Sequence, residues 1–239
     1  MTRAVVFSTL AAIADVLGGL IVTAHGRRST TALNALVAFG GGFMLAVAVI
    51  EMLPGAVQSD GGMAAILLGY LGVHLTQHVL TPHFHFGEET HREAMISRDV
   101  GIWALVGLLP HSFFDGVAIS SGFLASAELG LLLFVAVILH KVPTGVSLAS
   151  IMLASGNSVR QTLFAVALIG LATVLGAILT PAVGFLAQYG LALAAGVTIY
   201  VAASNLIPES QRVHGWLIPS AVFLGVLAFY LARLLLPGG

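Results

Sequence analysis

His111-Ser-Phe-Phe-Asp115-Gly-Val-Ala-Ile-Ser and His140-Lys-Val-Pro-Thr144-Gly-Val-Ser-Leu-Ala are two stretches that share one frame of polar and small residues. Each lies inside a long apolar run. A hydrocarbon environment penalises an ionisable side chain by roughly 2.5 kcal/mol or more, so such residues mark a functional site. Their recurrence in matching frames predicts a ligand shared between two related helices. A divalent metal ion is the ligand that best suits His and Asp.

The composition places the chain in a membrane. Hydrophobic residues make up 58% of the 239 residues and charged residues 8%, whereas a soluble domain has about 25% charged residues. Cysteine is absent from the sequence, which argues against a disulfide framework and against a thiolate site for Cu(I). The net charge of −1 does not indicate a particular partner, and the sequence has no basic patch of the kind that binds nucleic acid. The lipid bilayer is the expected partner, and no prosthetic group is predicted.

Polar breaks divide the chain into eight apolar segments, each near the roughly 20 residues that cross a bilayer as a helix. We therefore predict an all-α polytopic membrane protein that forms one transmembrane domain over residues 1–239. The break at 83–98 is long enough to be a loop. The predicted helices cover residues 4–24, 32–54, 62–82, 99–124, 129–153, 160–183, 186–208 and 215–236.

The basic residues predict the sidedness of the chain. With breaks that alternate between sides, six arginines fall on one side and two on the other, which marks the richer side as cytoplasmic. Both termini are then extracytoplasmic, and the chain is a multi-pass protein of the cell membrane, the inner membrane in a Gram-negative bacterium. A cleavable signal peptide is the alternative for residues 1–24. The cytoplasmic arginines would be Arg27, Arg28, Arg92, Arg98, Arg160 and Arg212, and the outer ones Arg3 and Arg233.

This orientation makes the two matching frames antiparallel, because the fourth and fifth segments run in opposite directions. A second pair behaves alike: the stretch from Gly42 to Pro54 aligns without a gap to the stretch from Gly196 to Pro208. Helices 1–3 would then match helices 6–8 around a central 4–5 hairpin. Such inverted repeats place the substrate site near the membrane midplane, at the repeat interface.

Helix geometry explains the spacing within each frame. Residues i and i+4 lie on one helical face, so His111 with Asp115, and His140 with Thr144, present pairs of groups to one place. Two imidazoles and a carboxylate suit Zn²⁺ and accept Fe²⁺, Mn²⁺, Co²⁺ or Cd²⁺. The alternative is a pair of buried histidines that hydrogen-bond across helices without a metal. The proline in each neighbourhood, Pro110 and Pro143, is expected to disturb the helix locally.

With these residues in place, the chain resembles the Zrt/Irt-like (ZIP) divalent metal transporters. The resemblance rests on the two His frames in the fourth and fifth of eight helices, the outer termini, a His-bearing third loop and the Leu/Ile-Pro ends of segments 2 and 7. It implies a 3+2+3 helix arrangement and a metal site between helices 4 and 5, and we predict that the metal moves into the cytoplasm. It further implies that helices 1/4/5/6 move against helices 2/3/7/8.

The chain departs from the family pattern at the positions of a second metal. The resemblance assigns those positions to Ser112, Lys141, Thr144 and Thr173, where many members carry an Asn and acids. An ammonium at Lys141 would take the space and charge of a second cation, or it would pair with Asp115. We therefore predict a single metal, with Thr144 offering only a neutral hydroxyl as a fourth ligand.

Other polar residues within the apolar segments suggest a route for the ion. Glu51 and Asn205 occupy matching repeat positions, and His74 and His78 are spaced i, i+4 on the third segment. The loop histidines His83, His85 and His91 read as a weak metal-collecting segment, with a merely solvated loop as the alternative. Asp15 is expected to be a hydrogen-bonding group between helices.

Two other functions remain open at this stage. A membrane-embedded zinc hydrolase would also use His and Asp, but no His-Glu-x-x-His motif occurs in the sequence. A metal-sensing protein would bind without flux. A homodimer is one oligomeric state that the pattern leaves open. The favoured prediction is a transporter of divalent metal, zinc first, rather than an enzyme.

Overall fold

The structure, a computed structural model, describes residues 2–25, 30–77, 98–210 and 215–235, and the regular elements in these ranges are helices. There are eight helical segments in the described ranges. They are α1 (Thr2–His25), α2 (Thr30–Val47, continued through Ala48–Met52 to Leu53–Val57), α3 (Gly62–Leu75), α4 (Arg98–Ala125), α5 (Ala127–Ala154), α6 (Val159–Ala182), α7 (Gly184–Tyr200, continued through Val201–Leu206 to Ile207–Ser210) and α8 (Leu217–Leu235).

The prediction of an all-α polytopic membrane protein is confirmed. Seven of the described helices are long and apolar enough to cross a membrane. The other, α3, has 14 residues, and residues 78–82 of its predicted span lie outside the described ranges. Large apolar side chains also cover the outside of the molecule: Phe223 is 76% exposed and Phe164 65%. Such a surface is suited to lipid rather than water.

The predicted breaks coincide with helix caps. Ser126 Oγ accepts a hydrogen bond from the Leu129 N–H at 3.0 Å and begins α5. Ser158 and Gln161 form a reciprocal capping box at the start of α6. These side chains satisfy N–H groups that a helix start leaves unpaired, so the polar breaks act as start signals for the helices that follow.

Two π-helical turns give structural support to the internal repeat. Ala48–Met52 in α2 and Val201–Leu206 in α7 coincide to within one residue under the alignment that pairs Gly42 with Gly196. Pro54 and Pro208 follow these turns by two residues. Because proline has no N–H and crowds the carbonyl one turn earlier, the preceding turn widens. By contrast, α4 and α5 continue as α-helices through Pro110 and Pro143, so the disturbance expected at these two prolines does not interrupt either helix.

The helices pack as two groups of four. The first group contains α1, α4, α5 and α6, the second contains α2, α3, α7 and α8, and the groups meet mainly where α2 packs on α5 and α4 on α7. Within each group, glycines bring two helix backbones into direct contact, and the contacts recur in matched pairs. In the first group, the contact of Gly18 with the Val142 backbone matches that of Gly176 with Phe113, and the contact of Gly145 with Asp15 matches that of Gly116 with Thr173. In the second group, the contact of Gly42 with Val222 matches that of Gly196 with Ile66, and the contact of Gly69 with Leu193 matches that of Gly225 with Phe39.

Candidate metal centre

The two His frames lie side by side in the first helix group. His111 and Asp115 are one turn apart on α4, and His140 and Thr144 are one turn apart on α5. All four side chains are buried. The sequence placed each pair on one helical face, and the packing of α4 on α5 turns these faces toward each other.

Asp115 lies between the two imidazoles. Its Oδ2 atom is 3.5 Å from His111 Nε2 and 3.3 Å from His140 Nε2. The ligand atoms of the three residues all lie within 4.8 Å of one another. Two ligands that are held about 2.1 Å from a tetrahedral zinc ion are about 3.4 Å apart. The two edges at Asp115 therefore already have the length that zinc requires, and the edge between the two imidazoles would have to close by at most about 1.4 Å.

The hydrogen bonds of His140 leave one ring nitrogen suited to a metal. Its Nδ1 lies 3.1 Å from the Ala136 carbonyl oxygen. A carbonyl can only accept a hydrogen bond, so Nδ1 carries the proton, and in a neutral ring the lone pair of Nε2 faces the Asp115 carboxylate. A cation between these two groups would relieve the repulsion between the nitrogen lone pair and the negatively charged carboxylate. A backbone carbonyl that fixes the ring in this way is common behind metal-binding histidines.

Thr144 directs its hydroxyl proton away from the cluster. Its Oγ1 donates to the His140 carbonyl oxygen at 2.8 Å, one turn back along α5. The oxygen keeps lone pairs, but the ligand it offers is neutral. The role of Thr144 as a fourth ligand remains a prediction.

Lys141 occupies the space beside the cluster. Its ammonium is fully buried and lies 3.1 Å from Asp115 Oδ2. It also donates to Ser112 Oγ at 3.3 Å and to Thr173 Oγ1 at 2.9 Å. The structure thus brings together Ser112, Lys141 and Thr173, which are three of the four residues that the resemblance assigned to a second metal position.

Asp15 on α1, which the sequence analysis expected only as a hydrogen-bonding group between helices, is also a member of this group. Its carboxylate is fully buried, and its Oδ2 lies 3.1 Å from Lys141 Nζ. A sequence signal was present: Ala14-Asp-Val-Leu-Gly18 aligns with Ala172-Thr-Val-Leu-Gly176 on α6. That match makes Asp15 the repeat partner of Thr173, and both contact the same ammonium.

The described residues predicted to line a route have contacts with residues other than those of the cluster. Glu51 pairs with Arg233 of α8 at 2.9 Å, and Asn205 donates to Gln77, two residues after the end of α3, at 3.0 Å. The ring of His74 packs against Tyr200, with centroids 5.7 Å apart. Their role in ion movement remains a prediction. The other predicted histidines, His78, His83, His85 and His91, lie outside the described residues.

Comparison with known proteins agrees with this architecture. The profile of the family described as ZIP Zinc transporter matches residues 74–232, which is most of the chain. The Zinc transporter ZupT of Enterobacter sp. (strain 638) is 28% identical over 127 residues, which cover 49% of this chain and 49% of that protein. The matched region therefore spans about half the length of this relative. With the family profile matched over more than half of its length, the chain belongs to the ZIP zinc transporter family.

Proposed function

We propose that the protein carries divalent metal ions, zinc first among them, across the cell membrane into the cytoplasm. His111, Asp115 and His140 hold the ion midway, with Thr144 or water as a fourth ligand. The observation that carries the proposal is the buried triangle of ligand atoms within 4.8 Å on two helices with matching frames. The similarity to a protein named as a zinc transporter supports the choice of substrate.

The chemistry of the donors supports zinc and related ions. Imidazole and carboxylate ligands suit Zn²⁺, and they also accept Fe²⁺, Mn²⁺, Co²⁺ and Cd²⁺. A single charged ligand makes the site weaker than a carboxylate-rich one. A moderate affinity serves transport, because an ion must leave the site as readily as it binds.

The two helix groups provide a basis for alternating access. Glycine contacts join backbones within each group, and Lys141, Glu51 and Asn205 all find partners inside their own group. Where the groups meet, α2 faces α5 through side chains such as Leu139. We propose that α1, α4, α5 and α6 carry the metal cluster past the second group as a unit. Movement between inverted repeats of this kind exposes a midplane site to each side in turn.

Membership in a family of transporters argues against the hydrolase alternative. A metal sensor would use the same cluster without flux. Transport and sensing are distinguished by measuring uptake and binding in the same preparation.

The test uses purified protein reconstituted into lipid vesicles. Zinc uptake should saturate with zinc concentration and should be reduced by competing Cd²⁺, Co²⁺, Mn²⁺ or Fe²⁺ in the order of their affinity. His111→Ala and Asp115→Ala should each lower uptake at least about tenfold, because even outer residues of metal sites contribute about 10–100-fold to affinity.

The control is Ser120→Ala, which changes a buried polar residue on the same helix. Ser120 donates to the Ala177 carbonyl oxygen at 3.0 Å rather than to the cluster, so its loss should leave uptake near the wild-type rate. Wild-type uptake by both His111→Ala and Asp115→Ala proteins, at equal amounts in the vesicles, would disprove the proposal. Binding without uptake by the wild type would assign the protein to the sensor class.

A further inference from the structure

Asp15 is a buried acid outside the three metal ligands, and its position is explained by Lys141. The side chains of both residues are fully buried, and Nζ lies 3.1 Å from Asp15 Oδ2. Among the described residues, the Asp15 carboxylate has no hydrogen-bond donor beyond this ion pair. A buried acid in a membrane-spanning helix is costly unless it is paired, and such paired acids mark functional positions.

Lys141 has more acceptors than it can satisfy at once. Its ammonium has three N–H donors, yet four side-chain oxygens lie 2.9–3.3 Å away, those of Asp15, Ser112, Asp115 and Thr173. The two carboxylates are equally distant, at 3.1 Å each. The ammonium can therefore release either carboxylate and keep a full set of hydrogen bonds.

A metal ion would compete with Lys141 for Asp115, because Oδ2 of Asp115 faces the ammonium and both imidazoles. A divalent ion about 2.1 Å from this oxygen attracts it about three times as strongly as a single charge at 3.1 Å, since the Coulomb energy varies as charge over distance. The metal should win this competition. The displaced ammonium then needs a second counter-ion inside the protein.

We infer that Asp15 is the positioning residue that receives the Lys141 ammonium when a metal ion binds Asp115. The inference rests on the proposed function of the His111–Asp115–His140 cluster. Asp15 lowers the formal charge of the loaded cluster by one, which reduces the repulsion between Lys141 and the metal. In the empty state, the same lysine balances both acids and occupies the place of a second ion.

The internal repeat explains why this acid lies on α1. The family resemblance places an acid on the sixth helix, at the position of Thr173. In this chain Thr173 is neutral, and the carboxylate comes from Asp15, its repeat partner on α1. The carboxylate beside Lys141 therefore comes from α1 rather than α6, and it contacts the same ammonium as Thr173.

The test measures zinc affinity in detergent-solubilised protein for Asp15→Asn, Lys141→Met and the double variant. Asp15→Asn should weaken zinc binding about tenfold, because coupled buried groups typically interact by amounts of this size. Lys141→Met should tighten binding, since the competing cation is removed. The double variant should bind zinc within about threefold of Lys141→Met, because Asp15 acts through Lys141. This rescue distinguishes positioning from a merely structural role, which would make the double variant the weakest.

Two results would overturn the inference: Asp15→Asn that binds zinc as tightly as the wild type, or a double variant that binds more than about tenfold more weakly than Lys141→Met. The second comparison remains decisive if Asp15→Asn alone does not fold, because the double variant carries no unpaired lysine. Loss of zinc binding in His111→Ala serves as the reference for the metal cluster. Zinc bound equally by the wild type and His111→Ala would instead refute the proposed site.

Discussion

Replacing Gly145 with alanine tests the packing that holds the metal cluster. Gly145 follows Thr144 on α5, and a Cβ at this position would overlap the carbonyl oxygen of Asp15 on α1. Both atoms are fixed by helix backbones, so no rotation of a side chain relieves the overlap. The two helices must separate, and Lys141 must move away from Asp15.

The expected magnitude follows from two opposing effects. Overpacking in a well-packed core costs about 1–3 kcal/mol, and a contact between two backbones belongs near the upper end of that range. Alanine regains about 1 kcal/mol of helix propensity over glycine. The net loss in the free energy of unfolding is about 2 kcal/mol, which corresponds to a fall in Tm of about 4–8 °C for a chain of this size.

Gly72 on α3 is the matched control. Within the described part of the chain, no heavy atom lies within 4 Å of its Cβ position, so Gly72→Ala keeps only the gain in helix propensity. Thermal unfolding of both variants in one detergent should move Tm in opposite directions. Gly116→Ala should behave like Gly145→Ala, because its Cβ would overlap the Thr173 carbonyl oxygen in the matching contact. Equal stability of Gly145→Ala and Gly72→Ala would refute the close approach of α1 and α5.

Three further outcomes are expected. Lys141→Glu combined with Thr144→Glu should raise the zinc content from one to two ions per chain and should slow the release of zinc during transport. A zinc content that stays at one ion per chain would show that Lys141 does not occupy the second position. Ala125 and Ala154 are both exposed at the ends of helices. A single cysteine at Ala125 should react with an impermeant thiol reagent from outside, and one at Ala154 should react from the cytoplasmic side. Reaction of both from the same face would contradict the predicted sidedness. Ser8→Ala should leave stability unchanged or raise it by up to about 1 kcal/mol in chemical denaturation, because the buried Ser8 hydroxyl has no hydrogen-bond partner among the described residues; a loss of stability would reveal a partner for that hydroxyl.

The helices themselves were predictable because their signals are local. Apolar runs of about 20 residues, polar breaks and capping side chains such as Ser126 and Ser158 all act within a few residues of the chain. Apart from the end of α3, the helix ends in the described ranges differ from the predicted ones by only a few residues, as in α5, predicted at 129–153 and observed as Ala127–Ala154.

The pairing of the candidate ligands within each helix was also predictable. His111 and Asp115 share one face because 3.6 residues make a turn, and the matching frame on α5 implied a common site. The repeat between segments 2 and 7 was visible in the sequence because Gly42 and Pro54 align with Gly196 and Pro208. In the structure, both segments contain a π-helical turn at the matching position.

The sequence by itself determined which residues share a helix and a face, because those relations depend on the backbone repeat alone. Only the tertiary structure decided which faces meet. Asp15 lies 126 residues before Lys141 in the chain, and Glu51 finds Arg233 on the last helix, contacts that no local pattern specifies. They arise where glycines allow backbones to touch, so that α1 lies directly on α5 and its one acid lies beside the buried ammonium. The physical reason is that helix formation is governed by neighbours along the chain, whereas the partner of a buried charge is chosen by close packing between distant helices.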